Sequence, residues 1–415
     1  MIDPSRRDAP RLSPRALGVI ALTIVTAVVA FSSFRGRSND GVSTETTSES
    51  SVESEVTSTP TTATKPGPAT VPDAPTTTAV AAPKPLPPGG LFAGGRPPQF
   101  VLVSFDGAAD DKLLARWMET TKKANAHMTL FLSAVYLLGD ENSAQYKGPR
   151  HAAGASAIKF APTQGETTAA FLAKTIGGLK NAQEQGHQLE NHFGGHWCGP
   201  DGVQSWSAKD WAEELNQFEK LVNNVDTLNK LTTPVGSPFL RQPVGARTPC
   251  LEGNLKLLYP VLRARGYRYD ASGTRTLDAW PDKTQGLWTY GFPTTKIEGV
   301  NRSVLTVDFS WRETLDPKYD ASPEQAKVIS EKVYQGLMSG FTAASISNRA
   351  PFELANHFVS FTHDAYNQAV ERFLVDVCNR QEVFCVNYRE MTDWLDAHAD
   401  KLASFRAGSF TKAAA

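Results

Sequence analysis

Gly186-His187-Gln188-Leu189-Glu190-Asn191-His192-Phe193-Gly194-Gly195-His196-Trp197-Cys198 is the stretch on which the reading of this chain turns. A short alternating run closes an amphipathic segment and delivers two imidazoles, His192 and His196, four residues apart beside two glycines. That concentration of ligand-type side chains suits a metal or acid–base site. The same spacing also arises in surface or hydrogen-bonded histidines, so the neighbouring sequence has to decide.

Working outward, short β-like runs alternate with helical patterns. Strands are expected at Phe100–Ser104, Met128–Leu132, His187–Asn191, Val244–Ala246, Tyr267–Tyr269, Leu287–Phe292, Val304–Phe309, Phe352–Asn356 and Val383–Asn387. Helices are expected at Asp111–Asn125, Glu166–Gln185, Asn254–Arg265, Pro323–Met338, Tyr366–Val377 and Arg389–Leu402, and another after Ser207, whose cap pattern is completed by Asp210. The alternation predicts an α/β fold with a parallel sheet, closed as a distorted (β/α) barrel of seven or eight strands. A doubly wound open sheet is the alternative, but no Gly-rich phosphate loop follows the first strand.

The chain before this domain is of a different kind. Residues 1–15 carry Arg6, Arg7, Arg11 and Arg15, and 16–34 is an uncharged run closed by Arg35 and Arg37. Its length is close to the roughly 20 residues of a spanning helix, with the arginines marking the cytoplasmic end. The run is expected to be an uncleaved membrane anchor; a signal peptide cut near Val28-Val29-Ala30 is the alternative. Residues 35–98 are dominated by Ser, Thr, Pro, Ala, Val and Glu and are expected to form a disordered stalk. Residues 99–403 then form the catalytic-type domain and 404–415 a flexible tail. Either reading of the leader places the domain outside the cytoplasm.

A formal net charge of -1 and the lack of a basic stripe in the globular part argue against nucleic acid as a partner. In an exported chain four cysteines suggest disulfides. Cys378 and Cys385 flank a short turn, while Cys198 and Cys250 each follow a candidate site motif. The expected pairs are therefore Cys378 with Cys385 and Cys198 with Cys250, out of three possible pairings.

The chemically capable residues collect at expected strand C-termini, which build the active face of a parallel barrel. Asp106 follows the first strand, with Asp110 and Asp111 a turn later. His192 and His196 follow the third, Arg247 lies in Ala246-Arg247-Thr248-Pro249, Asp270 closes Tyr267–Tyr269, Asp308 lies late in Val304–Phe309, and His357 follows Phe352–Asn356. Together they supply metal ligands, a general base, a general acid and a charge partner for hydrolysis by activated water. Each also has an ordinary reading: Asp106 and Asp270 as turn residues, Arg247 as a structural pair, His357 as a satisfied strand-end histidine. His363 competes with His357 as acid. The loop from Gly139 to Gly165 falls on the same face, as a substrate lid or an insertion. Trp197 and Trp206 either stack on sugar faces or pack in the core.

The order Ser104-Phe105-Asp106-Gly107, His192-(x)3-His196, Arg247-Thr248-Pro249 and Leu354-Ala355-Asn356-His357, with the ending Val386-Asn387-Tyr388-Arg389-Glu390-Met391-Thr392-Asp393-Trp394-Leu395, resembles the polysaccharide deacetylases of the nodulation-factor deacetylase homology group, a carbohydrate esterase family. The resemblance spans about Phe100 to Leu395. It implies a divalent metal, commonly zinc, and removal of acetyl groups from a carbohydrate polymer of the cell envelope or exterior. His192 and His196 become metal ligands, Asp106 the base, Arg247 its charge partner, and His357 the acid. One position departs from the pattern: the family's second aspartate, its third metal ligand, is Gly107 here. The third ligand is then Asp106, Asp110 or Asp111, and if Asp106 ligates the base is missing. A catalytically silent carbohydrate-binding or scaffolding protein of the envelope is the alternative on the same fold, and a metal-independent amide hydrolase a third.

Overall fold

In the computed structural model, residues 84–410 are described apart from 109, 162 and 164. The expected anchor and most of the expected stalk lie outside them. Among the described residues no helix is long and apolar enough to cross a membrane.

Strand β1 (Gln99–Asp106) is buried along its whole length, which is what a run such as Phe-Val-Leu-Val-Ser-Phe requires: both faces must be covered. Val101, Val103 and Phe105 face an outer layer of helices, while Phe100 and Leu102 face an inner aromatic core with Phe131 and Tyr388. The period of two therefore turns Asp106 inward as well. Helix α1 (Asp111–Ala124), β2 (Met128–Leu132), α2 (Thr168–Glu184), β3 (Gln188–Asn191), α3 (Ala208–Asn223), α4 (Val225–Leu228), β4 (Gly245–Ala246), α5 (Leu255–Ala264) and β5 (Tyr269–Arg275) follow. Then come β6 (Asp282–Thr284), β7 (Leu287–Lys296), β8 (Ser303–Leu305), α6 (Asp308–Leu315), α7 (Pro323–Ile346), β9 (Phe352–His357), α8 (Ala365–Cys378), β10 (Val383–Cys385), α9 (Tyr388–Ala397) and α10 (Leu402–Ala407).

These ten strands form one sheet in the order β10-β1-β2-β3-β4-β5-β7-β6, with β9 on β1 and β8 on β7. Every pairing is parallel except those of β6 and β8 with β7. Backbone bonds run on from β7 through Thr306 to β9: Thr306 N–H donates to Pro293 O at 3.1 Å, and Ala355 N–H to Thr306 O at 3.0 Å. The sheet thus returns on itself. The sheet has ten strands where seven or eight were expected, the two antiparallel pieces being additions. The β6–β7 hairpin turns at Gln285 and Gly286, both left-handed, a geometry suited to a two-residue hairpin and carrying little apolar signal.

Three local departures from the expected elements have physical causes. Val304–Phe309 is not one strand: β8 stops at Leu305 and a helix starts at Asp308, whose carboxylate is captured by the end of β9. The last part of the expected stalk is packed, since Trp394 Nε1 donates to Gly90 O at 3.0 Å and the Arg96 guanidinium pairs with Glu382. At the other end α10 enters the expected flexible tail, burying Phe405 against Trp280 and Trp394.

Candidate active site

Strand register brings the candidates to one end of the sheet. Asp106 lies level with His357 on one side and with Phe131 on the other; Leu132 is level with Asn191, and Asn191 with Ala246. Asp106, His192, Arg247 and His357 are therefore each at or one residue past a C-terminal strand end.

Arg247 is fully buried and holds three partners at once. Its Nη1 donates to Asp106 Oδ1 at 2.7 Å, its Nε to Ala271 O at 3.0 Å, and its Nη2 to the Tyr388 hydroxyl at 3.2 Å. The guanidinium lies over Phe131 and Phe292, 4.1 and 4.7 Å from the ring centroids. Burial alone would raise the Asp106 carboxyl, but Arg247, followed by His192 and His357, overcomes it and holds the group down at about 2. Asp106 Oδ2 is left facing His192 Nε2 at 3.9 Å.

The two imidazoles are set up differently. His192 Nδ1 is 2.9 Å from Arg247 O, so that nitrogen carries the proton and Nε2 keeps its lone pair. Nε2 is buried with no hydrogen-bond partner among the described residues. A ring anchored on a carbonyl through one nitrogen, with the other bare and aimed at a carboxylate, is how a metal-ligating histidine is held. The His196 ring centroid is 5.0 Å away, its backbone left-handed at φ 55°. Burial pushes both imidazoles down, His196 to about 3, so both stay neutral and able to ligate. The bare Nε2 and the second imidazole are donor types that suit a divalent cation, with Asp106 Oδ2 close by on the side of His192.

Of the alternative third ligands, Asp110 caps α1, accepting Leu113 N–H at 2.9 Å, and Asp111 points to Lys174 at 3.5 Å. Asp106 is the aspartate whose free oxygen faces His192 Nε2, at 3.9 Å. His196 also stands beside Cys198 and Cys250, but those sulfurs are joined in a disulfide and are not thiolate ligands. Both expected disulfides are present.

His357 is paired with Asp308, which accepts both its Nδ1–H at 2.8 Å and its backbone N–H at 2.7 Å. Burial would lower this imidazole; Asp308 and then Asp106 raise it above the ordinary value. His363, the competing acid, spends its Nε2 on Ala321 O at 3.1 Å. Asp270 does not join the group. Strand alternation places Tyr269 and Ala271 in the inner core and turns Asp270 outward, where it accepts from Ser272 Oγ at 2.6 Å and the Tyr259 hydroxyl at 3.2 Å. It holds Ser272, which in turn receives Thr248 N–H at 2.9 Å, so it supports the Arg247 loop from outside the group formed by Asp106, His192 and His357.

The sequence reading missed Glu214. This buried carboxylate on α3 accepts the N–H groups of Gly194 and Gly195, at 2.9 and 3.0 Å, and the Tyr146 hydroxyl at 3.0 Å. It holds two of the three residues that separate the imidazoles. A Cβ at Gly195 would meet the Tyr146 hydroxyl at 2.4 Å, so any side chain there would have to displace the buried tyrosine. The available signal was a charge on the apolar stripe of α3, between Trp211 and Phe218. Replacing Glu214 by Leu orphans both N–H groups, and each is expected to cost on the order of 1–3 kcal/mol in urea unfolding. Glu214→Gln, which keeps an acceptor, should restore most of the loss; equal stabilities of all three proteins would refute the clamp.

The Gly139–Gly165 loop packs on this clamp and is not an open lid: Tyr146 is fully buried, and Ala157 N–H donates to Gly195 O at 2.9 Å. Of the two tryptophans, Trp206 is core, and Trp197 already stacks on His151 with ring centroids 3.5 Å apart.

No protein-family model matches this chain, and no curated protein matches it. Solved structures do. A Mycobacterium smegmatis protein assigned as a polysaccharide deacetylase is 14% identical, with 77% of this chain and 95% of that one covered at a TM-score of 0.45. The peptidoglycan deacetylase PdaC from Bacillus subtilis is 11% identical, covering 74% and 96% at 0.38. A CE4 family pseudoenzyme from Bacillus anthracis is 10% identical, covering 72% and 66% at 0.37.

Proposed function

We propose that this chain is a metal-dependent hydrolase that removes acetyl groups from a carbohydrate polymer of the cell envelope or exterior. The observation that carries the reading is the bare, buried His192 Nε2 facing the free oxygen of Asp106, with the His357–Asp308 pair in register across β1 and β9. A divalent cation on His192 and His196, zinc in the first instance, would polarise the acetyl carbonyl and make water more acidic. Arg247 keeps Asp106 ionised and leaves Oδ2 to take the proton of the attacking water. His357, whose charged form is favoured by Asp308, gives its Nε2 proton to the leaving amine or alcohol. Residues 16–34 would anchor the chain and leave the domain outside the cytoplasm.

The alternative is a silent carbohydrate-binding protein on the same scaffold, favoured by Gly107, which supplies no carboxylate at φ +75°. Zinc content and acetate release from acetylated glycans, with and without chelator, separate the readings. Stoichiometric zinc with chelator-sensitive release is expected. Absence of both favours the silent protein, and chelator-resistant release a metal-independent hydrolase.

A further inference from the structure

Resting on the metal-dependent reading, we infer that the Tyr136 hydroxyl is the third protein donor of the site, standing in for the side chain that Gly107 lacks. A Cβ built on Gly107 meets nothing nearer than Tyr136, with Cε2 at 3.4 Å and the hydroxyl oxygen at 3.5 Å. That oxygen lies within the reach of a carboxylate carried by residue 107. Tyr136 is only partly exposed and packs against the core.

The chain path explains the placement. Gly107 N–H donates to Phe131 O at the end of β2, and His192 N–H donates to Leu132 O, both at 3.0 Å. Ala134 N–H then donates to Phe193 O at 2.8 Å. Tyr136 thus rides on a short 3-10 helix, Ala134–Leu137, wedged between the ends of β1 and β3, the two strands that deliver Asp106 and His192. The other oxygens nearby are committed: Asp106 Oδ1 to Arg247, Asp110 to its cap, Asp111 to Lys174. A phenol as third donor removes the conflict at Asp106, which no longer has to serve as both ligand and base. Three protein donors and one open position is the arrangement of a catalytic zinc.

The test titrates the full chain, Tyr136→Phe, Gly107→Asp and the double variant with zinc, in competition with a chelator, and separately with Fe(III). Tyr136→Phe keeps the ring that packs on Gly107 and is expected to weaken zinc binding about tenfold to a hundredfold. The double variant should regain that loss. Fe(III) on the unaltered chain should give a visible phenolate-to-iron absorption, lost in Tyr136→Phe and in Gly107→Asp, where the new carboxylate displaces the hydroxyl. Unchanged zinc affinity in Tyr136→Phe, no phenolate absorption, or no zinc binding by the unaltered chain overturns the inference. Zinc binding that depends on Tyr136 without acetate release would defeat the deacetylase reading alone. Acetate release with zinc binding indifferent to Tyr136 would defeat this one alone.

Discussion

Arg247→Met is expected to lower the unfolding free energy by about 3–5 kcal/mol at neutral pH, because removing one partner of a buried pair leaves the other charge uncompensated. Asp106 would lose its counter-ion, Ala271 O its donor, and Phe131 and Phe292 the cation stacked on them. The pH dependence identifies the cause. In the unaltered chain the Asp106 carboxyl sits near 2 against an ordinary 3.8, so its contribution to stability is present above the ordinary value and lost as pH falls towards 2. Without Arg247, burial dominates and the carboxyl rises above the ordinary value; the penalty then builds as pH rises from the ordinary value, is complete once pH passes the raised value, and disappears on acidification. The gap between the two proteins should therefore be widest at neutral pH and narrow below about pH 4 in urea unfolding. A gap that does not vary with pH would assign the loss to packing alone. Arg247→Met with Asp106→Leu should recover part of the stability, since both charges are then gone.

What the sequence shows of this molecule follows from what is local. The alternating and apolar runs placed nearly every parallel strand, and strand ends placed Asp106, His192, Arg247 and His357 together, because period and chain order are written in neighbouring residues. Asp270 escaped that logic: being near a strand end was taken as facing the site, whereas one residue of register decides which face a side chain takes. Asp308 was seen as a strand residue, and only its capture by His357, 49 positions away, makes it a helix start. Glu214 binds the histidine loop across 19 and 20 residues of chain, and Tyr146 takes the Trp197 indole N–H across 51, contacts that no short motif encodes. Gly107 carries no side chain, and the ring beside it, Tyr136, comes from the next βα connection, out of reach of any local motif. The two disulfides were legible because each joins segments already placed side by side, one of them clamping the His196 and Arg247 loops.

Asp106→Asn should reduce acetate release about 10²- to 10⁴-fold, the range for removing a general base, while zinc affinity stays within a few-fold of the unaltered chain. The two readouts separate base from ligand: a ligand role would make zinc affinity fall together with turnover. The low Asp106 value sharpens the expectation. A carboxylate held near 2 is ionised at any workable pH but is a weak base, able to accept a proton only from water that has already been made more acidic. Under the proposed mechanism Asp106 is useful only with a cation on His192 and His196, so chelation and Asp106→Asn should not add: the metal-stripped protein should be nearly indifferent to the substitution. Nor can Asp106 set an acid limb in the pH profile. The visible limb belongs to His357, which Asp308 lifts above 6.5, so turnover should be kept below that raised value and fall as pH rises through it. In Asp106→Asn the same alkaline limb should persist, displaced slightly downward because Asp106 is one of the charges that raise His357. An Asp106→Asn protein with near-normal turnover, or one whose alkaline limb vanishes, would show that the proton leaves the water by another route.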